Sequence, residues 1–187
     1  TVQADSADRA AVAKVIAAEG PLDILVINAG IAVIGDPLEI DPAEVDRLID
    51  VNVRGPYHAA VEAARKMPEV GRIIVIGSVN GDRVPFAGMT AYSLSKSAIQ
   101  GLVRGLARDL GPRGITVNNV QPGPVDTDMN PAANGEFSET QKSMTALGRY
   151  GTPEEFGAMC AFLCSAHAGF IVGQNVSLDG GGFNSTC

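Results

Sequence analysis

Short, almost entirely apolar runs alternate along the chain with longer segments in which apolar residues recur every three or four positions. The short runs predict buried β-strands, and the longer segments predict amphipathic α-helices. The predicted strands cover residues 23–27, 72–76, 115–120 and 175–178. The predicted helices cover residues 7–19, 41–66, 92–110 and 152–165. Because helices separate successive strands, the pattern predicts an α/β fold with a parallel sheet and crossover helices.

Polar residues mark the points where several of these elements begin. Ser6 is predicted to be the N-cap of the first helix. Asp41 followed by Pro42 predicts the start of the second helix, and Thr152 with Glu155 forms a capping box before the last one. The stretch 121–139 is rich in Pro, Gly, Asp and Asn, which predicts a long loop and a candidate lid over a ligand.

Composition narrows the class of protein. The chain has 187 residues, 45% of them hydrophobic, which suits a single domain. Its net charge of −7 disfavours nucleic acid and anionic membrane surfaces as partners. No apolar run approaches the roughly 20 residues that span a bilayer. These features predict a globular protein that binds neither nucleic acid nor membrane.

Cysteine and histidine are too sparse for a disulfide framework or a metal site. Cys160, Cys164 and Cys187 show no framework spacing, and no secretory segment opens the chain, so the prediction is a reducing cytoplasm. Cys160 and Cys164, one helical turn apart, are interpreted as a buried apolar pair. His58 and His167 belong to no metal-ligand cluster, so no metal is assigned.

Three polar clusters follow directly after predicted strands. They are Asn28-Ala29-Gly30, Gly77-Ser78 and Gln121-Pro122-Gly123-Pro124. Each could be only a turn, since glycine adopts positive φ readily. The carboxyl ends of parallel strands meet at one edge of a sheet, however, and that edge is where open α/β sheets bind ligands. The clusters therefore predict a binding crevice.

Tyr92 and Lys96 are four residues apart near a helix start, so both side chains lie on one face. An ammonium and a cationic cofactor ring beside a phenol favour the phenolate and lower its pKa, and Lys96 is predicted to supply the fixed positive charge for general acid/base work by Tyr92. Ser78 can donate a hydrogen bond to an oxygen that gains negative charge. The alternative is a solvated Tyr/Lys helix face and a turn serine.

The combined pattern resembles the short-chain dehydrogenase/reductase family, from the first residues to Gly182. The resemblance implies a doubly wound, Rossmann-like sheet in a three-layer αβα arrangement and an NAD(P)-dependent oxidoreductase that interconverts an alcohol and a ketone by hydride transfer. It is carried by Asp5-Ser6, Asn28-Ala29-Gly30, Asn52 in Asp-Val-Asn-Val, Ser78, Tyr92-Ser93-Leu94-Ser95-Lys96, and Pro122-Gly123-Pro124-Val125-Asp126-Thr127.

The resemblance also implies a role for each of four catalytic residues. Tyr92 would be the proton donor or acceptor, and Ser78 would orient the substrate oxygen. Lys96 would also bind the nicotinamide ribose. Asn52 would hold a water that links Lys96 to solvent; without the resemblance, it would be a polar residue at an irregular turn inside a helix.

Cofactor contacts follow in the same way. Asp5 and Ser6 would contact adenine, and the turn at Asn28, Ala29 and Gly30 would lie on the cofactor side, together with Tyr92 and Lys96. In the loop that contains Pro122 and Gly123, the Val125 backbone and Thr127 would hold the carboxamide. The sequence does not identify the residue that selects NADP or NAD. It does not identify the substrate either, because segment 129–144 has polar and small residues that suit many alcohols or ketones.

The resemblance further implies a homotetramer or homodimer that buries helices 41–66 and 92–110. The family's Gly-rich phosphate turn has no counterpart in these residues. We therefore expect the native protein to carry about fifty to sixty more residues at the N-terminus, with this chain a single domain that lacks its first βαβ segment. The isolated chain is accordingly expected to bind no nicotinamide cofactor measurably.

A second interpretation comes from a bacterial subgroup of the family. The stretches 5–9, 23–26 and 77–83 resemble this subgroup, which includes a cyclic-di-GMP-binding protein. The chain would then bind that dinucleotide, with Arg83 and the crevice holding its phosphates, and would be weakly catalytic or not catalytic.

Overall fold

The computed structural model describes residues 1–133 and 137–182; residues 134–136 of the predicted loop, and Cys187, lie outside the described residues. The strands are β1 (Ile24–Ile27), β2 (Arg72–Ile76), β3 (Thr116–Pro122) and β4 (Asn175–Leu178). The helices are α1 (Arg9–Glu19), α2 (Pro42–Ile49), α3 (Gly55–Lys66), α4 (Thr90–Leu110), α5 (Ser138–Met144) and α6 (Pro153–Cys164). The strands pair in parallel in the order β1-β2-β3-β4. The predicted parallel sheet with crossover helices is confirmed.

Helices cover both faces of this sheet. Successive strand residues point to opposite faces, and in β2 the side chains of Ile73 and Val75 join one apolar cluster while Ile74 joins another. The first cluster contains residues of α1, α3 and α4, and the second contains Leu163 of α6. The two clusters give the three αβα layers that the family resemblance implies.

The segment predicted as one helix, 41–66, is helical from Pro42 to Lys66 and contains one π-turn. Asp41 caps its start by accepting the N–H of Ala43 at 2.9 Å, as expected. The backbone then widens into a π-turn at Asp50–Arg54 before α3 begins. A π-turn places one extra residue in the turn and so changes where the following side chains point. The predicted continuation of the helix through Asn52 towards Lys66 is confirmed, but its regular α-helical hydrogen bonding is not kept at Asn52.

Helix capping agrees with the sequence at one helix and differs at another. The capping box before α6 is confirmed, because Glu155 donates its N–H to Thr152 Oγ1 and accepts the Thr152 N–H at 2.9 Å. The N-cap of α1 is Asp8 rather than Ser6, since the Asp8 carboxylate accepts the N–H of Ala10 at 2.8 Å. A carboxylate also interacts favourably with the positive end of the helix dipole.

The stretch predicted as a loop ends in a short helix, α5, which the sequence pattern did not predict. Gln141 of α5 accepts hydrogen bonds through Oε1 from Asn130 Nδ2 and from the Tyr150 hydroxyl, both at 2.9 Å. These bonds tie α5 to the chain on either side of it. The short helix depends on these contacts more than on its own periodicity.

α4 has 21 residues, but charged side chains occur along its outer face. Of the helices in residues 1–133 and 137–182, none is both long enough and apolar enough to cross a membrane.

Candidate active site

The three polar clusters predicted to meet do lie at one edge of the sheet. In the parallel register Ile27 of β1 pairs with Val75 of β2, and Ile76 of β2 pairs with Val120 of β3. The residues after these strands therefore emerge side by side at the carboxyl ends. The structure thus brings the turn at 28–30, Ser78 and the segment from Gln121 onward to the same edge.

Two glycines at this edge are needed for close approach and not for a positive φ. A Cβ on Gly77 would lie 2.4 Å from Asn119 Oδ1, and one on Gly123 would lie 2.7 Å from the Cα of Asp179. Neither residue has a positive φ. These two glycines are therefore not explained by a turn that needs a positive φ. They are explained by close packing against Asn119 and Asp179.

Lys96 is buried beneath this edge. Its side chain is on α4, the residue is 7% exposed, and its Nζ donates to the carbonyl of Ile76 at 3.3 Å. Nζ also lies 5.7 Å from the centre of the Tyr92 ring. Burial disfavours the charged form and lowers the pKa of Lys96 from 10.5 to about 8. Tyr92 and Lys96 therefore lie together, as the four-residue spacing predicts.

The pKa of Tyr92 in the protein alone is shifted upward. Burial raises this pKa, and a side-chain hydrogen bond with Ser78 opposes the increase without cancelling it. The Lys96 ammonium, 5.7 Å from the ring centre, is not among the causes of this shift. The Tyr92 hydroxyl is accordingly protonated near neutral pH, which is the state of a proton donor. The lowered pKa predicted for Tyr92 beside both Lys96 and a cationic cofactor ring stays a prediction.

Ser78 is held in place by the turn that follows β2. Its Oγ accepts the N–H of Asn80 at 3.1 Å and so caps the short 3₁₀ turn at Val79–Gly81. Its carbonyl accepts a hydrogen bond from Gln121 Nε2 at 3.1 Å. These bonds fix the position of Ser78, whose side chain is hydrogen-bonded to Tyr92.

Asn52, in the π-turn, is buried and is bonded to two other segments. Its Oδ1 accepts the N–H of Ile31 at 2.9 Å, and its Nδ2 donates to the Ile31 carbonyl at 2.8 Å and to Ser95 Oγ at 3.0 Å. Ser95 Oγ donates in turn to the Tyr92 carbonyl at 2.7 Å. Asn52 therefore connects the segment after β1 to the first turn of α4. A Cβ on Gly30 would lie 3.5 Å from both Asn52 Oδ1 and Lys96 Nζ, so this glycine packs against both.

The residues predicted to contact adenine lie near the start of the chain. The Asp5 carboxylate accepts hydrogen bonds from Arg47 at 3.0 Å and from the Ala7 N–H at 2.9 Å. The hydrogen bond from Arg47 is the main reason why the pKa of Asp5 is lowered. Ser6 lines a mostly apolar cavity of about 230 Å³ together with Asn28 and Ala29. The structure therefore brings three of the predicted cofactor residues to one cavity and places Asp5 in an ion pair.

The segment predicted to hold the carboxamide follows β3. Pro122 is the last residue of β3, and the N–H of Gly123 donates to the Leu178 carbonyl at 2.9 Å. Val125 forms a β-bridge with Gly151, and Thr127 is exposed and pairs with Asn130. This segment lies at the same edge as Ser78, but its backbone is already paired with β4 and with the start of α6.

Ser95 and Gln121 belong to segments that the sequence analysis singled out, but no role was predicted for either side chain. Ser95 was visible inside the Tyr-x-x-x-Lys segment, and its burial between Asn52 and Tyr92 depends on the fold. Gln121 is fully buried at the end of a strand with apolar neighbours. Its position at the start of the polar cluster that follows the predicted strand 115–120 was the available signal for it.

The residues present fit a nicotinamide nucleoside. An ammonium has three donors, and among the described residues Lys96 Nζ uses one of them, toward Ile76. A buried cation with spare donors suits the hydroxyls of a ribose, and the hydroxyls of the half-buried Tyr92 and the buried Ser78 beside it suit a carbonyl oxygen. These hydrogen-bond donors therefore suit both the nicotinamide ribose and the carbonyl oxygen of a substrate.

A parallel α/β sheet with these Ser, Tyr and Lys side chains at its carboxyl edge has the architecture of a dinucleotide-dependent oxidoreductase. The family model described as enoyl-(acyl carrier protein) reductase matches residues 1–182. The chain belongs to the short-chain dehydrogenase/reductase family.

Similar proteins agree with this membership. The chain is 58% identical, over 94% of its length and 74% of the relative's, to the cyclic-di-GMP-binding biofilm dispersal mediator protein of Escherichia coli K12. It matches the crystal structure of BdcA in complex with NADPH with a TM-score of 0.94 and 57% identity, over 96% of this chain and 73% of that one. A short-chain dehydrogenase from Burkholderia cenocepacia in complex with NADP matches with a TM-score of 0.94 and 45% identity, over 98% and 76%.

Proposed function

We propose that the protein is an NADP-dependent oxidoreductase that interconverts an alcohol and a ketone, with Tyr92 as the general acid/base. The observation that carries this proposal is the buried arrangement of Tyr92 between Ser78 and Lys96. NADP is preferred over NAD because the two solved relatives described above are complexes with NADPH and NADP. When bound, the cofactor supplies or accepts the hydride.

The chain's own residues would handle the proton. In the reducing direction the Tyr92 hydroxyl donates its proton to the carbonyl oxygen while the carbon gains the hydride, so the ketone gains two hydrogens in all. The Ser78 hydroxyl donates a hydrogen bond to the same oxygen and stabilises its developing negative charge. Burial keeps Tyr92 protonated near neutral pH, which favours reduction there.

Lys96 and Asn52 would support that proton transfer. The Lys96 ammonium holds ribose hydroxyls, and with a pKa of about 8 it is near the range in which it can pass a proton to Tyr92 after turnover. Asn52 fixes Ser95 and, through it, the backbone of Tyr92. A water at Asn52 that connects Lys96 to solvent is part of the proposal.

The test uses the Tyr92→Phe variant of the intact native protein with a panel of ketones and alcohols. Loss of the transferable proton should lower kcat about 10²–10⁴-fold, with the affinity for NADPH nearly unchanged, because the ring still packs. Tyr57→Phe is the matched control, since Tyr57 is an exposed tyrosine on α3. A Tyr92→Phe variant that retained kcat would refute the assignment.

A second candidate function is binding of cyclic-di-GMP, which the name of the relative with 58% identity favours. Arg83 follows the turn that Ser78 caps, so a cation lies near the crevice. Calorimetry should then show heat on addition of tens of micromolar cyclic-di-GMP and competition with NADP. No heat and no change in melting temperature would exclude this candidate.

We also propose that copies of the chain associate through α3 and α4, as a homodimer or homotetramer, in the cytoplasm. A groove of about 610 Å³ with mostly apolar walls runs between the two helices, and it is lined by Tyr57, Gly101, Leu102 and Gly105 among others. Two glycines on a helix surface let another helix approach closely. The cytoplasmic location is supported by the free thiols of Cys160 and Cys164.

A further inference from the structure

Arg72 is a buried cation at the edge of the sheet opposite to the candidate active site. It is the first residue of β2, whereas Ser78 follows the end of that strand. Arg72 is 6% exposed, and an arginine side chain keeps its charge at any physiological pH. Within the described residues no carboxylate forms an ion pair with it. A buried charge without a counter-ion destabilises a folded protein, so this cation calls for an explanation.

The Arg72 guanidinium uses one end and leaves one edge free. Its Nη1 donates to the carbonyls of Val70 and Gly71, both at 2.9 Å. Its Nε is buried and has no hydrogen-bond partner, and Nη2 makes no hydrogen bond to any other described residue. Nε and Nη2 form the edge of the planar group that can bind two oxygens of one anion. The free edge is therefore arranged for a bidentate anion.

The Arg72 side chain passes beneath the end of α6. Side chains two positions apart in a strand lie on the same face of the sheet, so Arg72 shares a face with Ile74. Ile74 packs in one cluster with Leu163 of α6 and with Ala168 just after it. A Cβ on Gly169 would lie 3.9 Å from Arg72 Nη2. The free edge of the guanidinium therefore reaches the turn that follows α6.

Cys164, the last residue of α6, is the thiol that the charge of Arg72 influences. It is a free, partly exposed cysteine that packs against the same apolar cluster. Burial raises the pKa of the Cys164 thiol, and the positive charge of Arg72 opposes that increase. Cys160, one helical turn earlier, packs against this cluster too, but Arg72 is not among the causes that shift its pKa. Arg72 therefore distinguishes between two otherwise similar thiols.

We infer that Cys164 is a redox modification site, at which hydrogen peroxide oxidises the thiol to a sulfinate that pairs with the free edge of Arg72. In the first step the thiolate sulfur takes one oxygen from the peroxide, which leaves as water, and becomes a sulfenate. A second peroxide adds another oxygen in the same way and gives the sulfinate. Each step oxidises the sulfur by two electrons and reduces one peroxide. The two sulfinate oxygens carry one negative charge, as those of a carboxylate do, and so match the two free donors.

This pairing should make oxidation stabilise the protein. Oxidation of a sulfur side chain that packs against apolar residues ordinarily disturbs that packing. At Cys164 the product supplies the anion that Arg72 lacks, and the energy of pairing opposes the disturbance. The inference does not depend on the proposed oxidoreductase activity, because its readouts are stability and the mass of the side chain.

An aspartate at each cysteine position of α6 tests the pairing without an oxidant. Cys164→Asp in the intact native protein places two carboxylate oxygens close to where the sulfinate oxygens would lie. We expect its Tm to rise by about 2–4 °C. Cys160→Asp is the matched control and should lower Tm, because it places a charge in a half-buried position without a cation. A fall in Tm in both variants overturns the inference.

The dependence on the guanidinium is measured in a second background. Arg72→Lys keeps the positive charge but has no planar pair of donors. The rise in Tm from Cys164→Asp should therefore fall to about half or less in the Arg72→Lys protein. An equal rise in both backgrounds overturns the bidentate pairing.

Peroxide treatment tests the modification itself. Tandem mass spectrometry of the intact native protein should show the gain of about 32 Da for two oxygens at Cys164 about threefold or more over Cys160. Oxidation should also raise the Tm of Cys160→Ser and leave that of Cys164→Ser without a rise. Equal oxidation of the two cysteines, a Cys164 that stays reduced, or a fall in the Tm of oxidised Cys160→Ser overturns the inference.

Discussion

Replacement of Lys96 by methionine should stabilise the protein while it removes activity. Burial lowers the pKa of Lys96 from 10.5 to about 8. Each pKa unit corresponds to about 1.4 kcal/mol, so holding the ammonium in the folded protein costs about 3 kcal/mol. Methionine is similar in length and avoids this cost, but it leaves the Ile76 carbonyl without its donor, which costs about 1 kcal/mol. The net gain is about 2 kcal/mol, or a rise of about 4–8 °C in Tm.

The stability advantage of Lys96→Met over the native protein should depend on pH. Below pH 8 Lys96 is charged in both the folded and the unfolded protein, so the native protein bears the full cost and the variant has its full advantage. Between pH 8 and 10.5 the folded state binds fewer protons than the unfolded state, so native stability rises and the advantage shrinks. Urea unfolding at several pH values from 7 to 10 measures this trend.

Activity and a matched control complete the test. Lys96→Met should lower kcat and weaken NADPH binding together, because one ammonium supports both the proton transfer and the ribose. Lys66→Met, at an exposed position on α3, should change neither stability nor activity appreciably. A Lys96→Met variant that was less stable than the native protein at pH 7, with no trend toward higher pH, would refute the reasoning.

Two further predictions concern positioning and association. Gln121→Met should lower kcat about tenfold, because it removes the hydrogen-bond donor to the Ser78 carbonyl. Tm should change little, because the same substitution also removes a buried Oε1 that has no partner among the described residues. Steady-state kinetics and thermal melts test this, and an unchanged kcat contradicts it. Gly105→Arg should shift the protein toward monomers in light scattering, because a Cβ there meets open space within the folded chain and the groove would be blocked. Gly157→Arg, also open but on α6, is its control, and equal oligomer size in both variants contradicts the proposed interface.

The sheet could be predicted from the sequence because its signal is local. β2 is a short apolar run, and burial on both faces of a parallel sheet favours that composition. The π-turn at Asp50–Arg54 could not be predicted in this way. It is accompanied by hydrogen bonds from Asn52 to Ile31 and Ser95, which are 21 and 43 positions away. Contacts at such distances leave no periodicity in the chain.

The candidate site likewise has features with a local sequence signal and features that depend on long-range contacts. Tyr92 and Lys96 share one helix turn, so their spacing alone places them together. The pKa of Tyr92 in the protein alone depends on burial by the rest of the fold, which the spacing along one helix does not show. The rings of Phe86 and Phe137 contact each other, with centres 6.3 Å apart, although the two residues are far apart in the sequence. Sequence reasoning had treated segment 129–144 as polar and small, although it contains Phe137.

Transfer of a labelled hydride tests the central claim most directly. The intact native protein is incubated with a ketone that it reduces in the panel and with NADPH that carries deuterium at the transferable position, and the product alcohol is analysed by mass spectrometry and NMR. The account predicts one deuterium on the carbinol carbon, at a rate that falls about 10²–10⁴-fold in Tyr92→Phe. Product without deuterium at that carbon, or equal rates in the native protein and Tyr92→Phe, would contradict it.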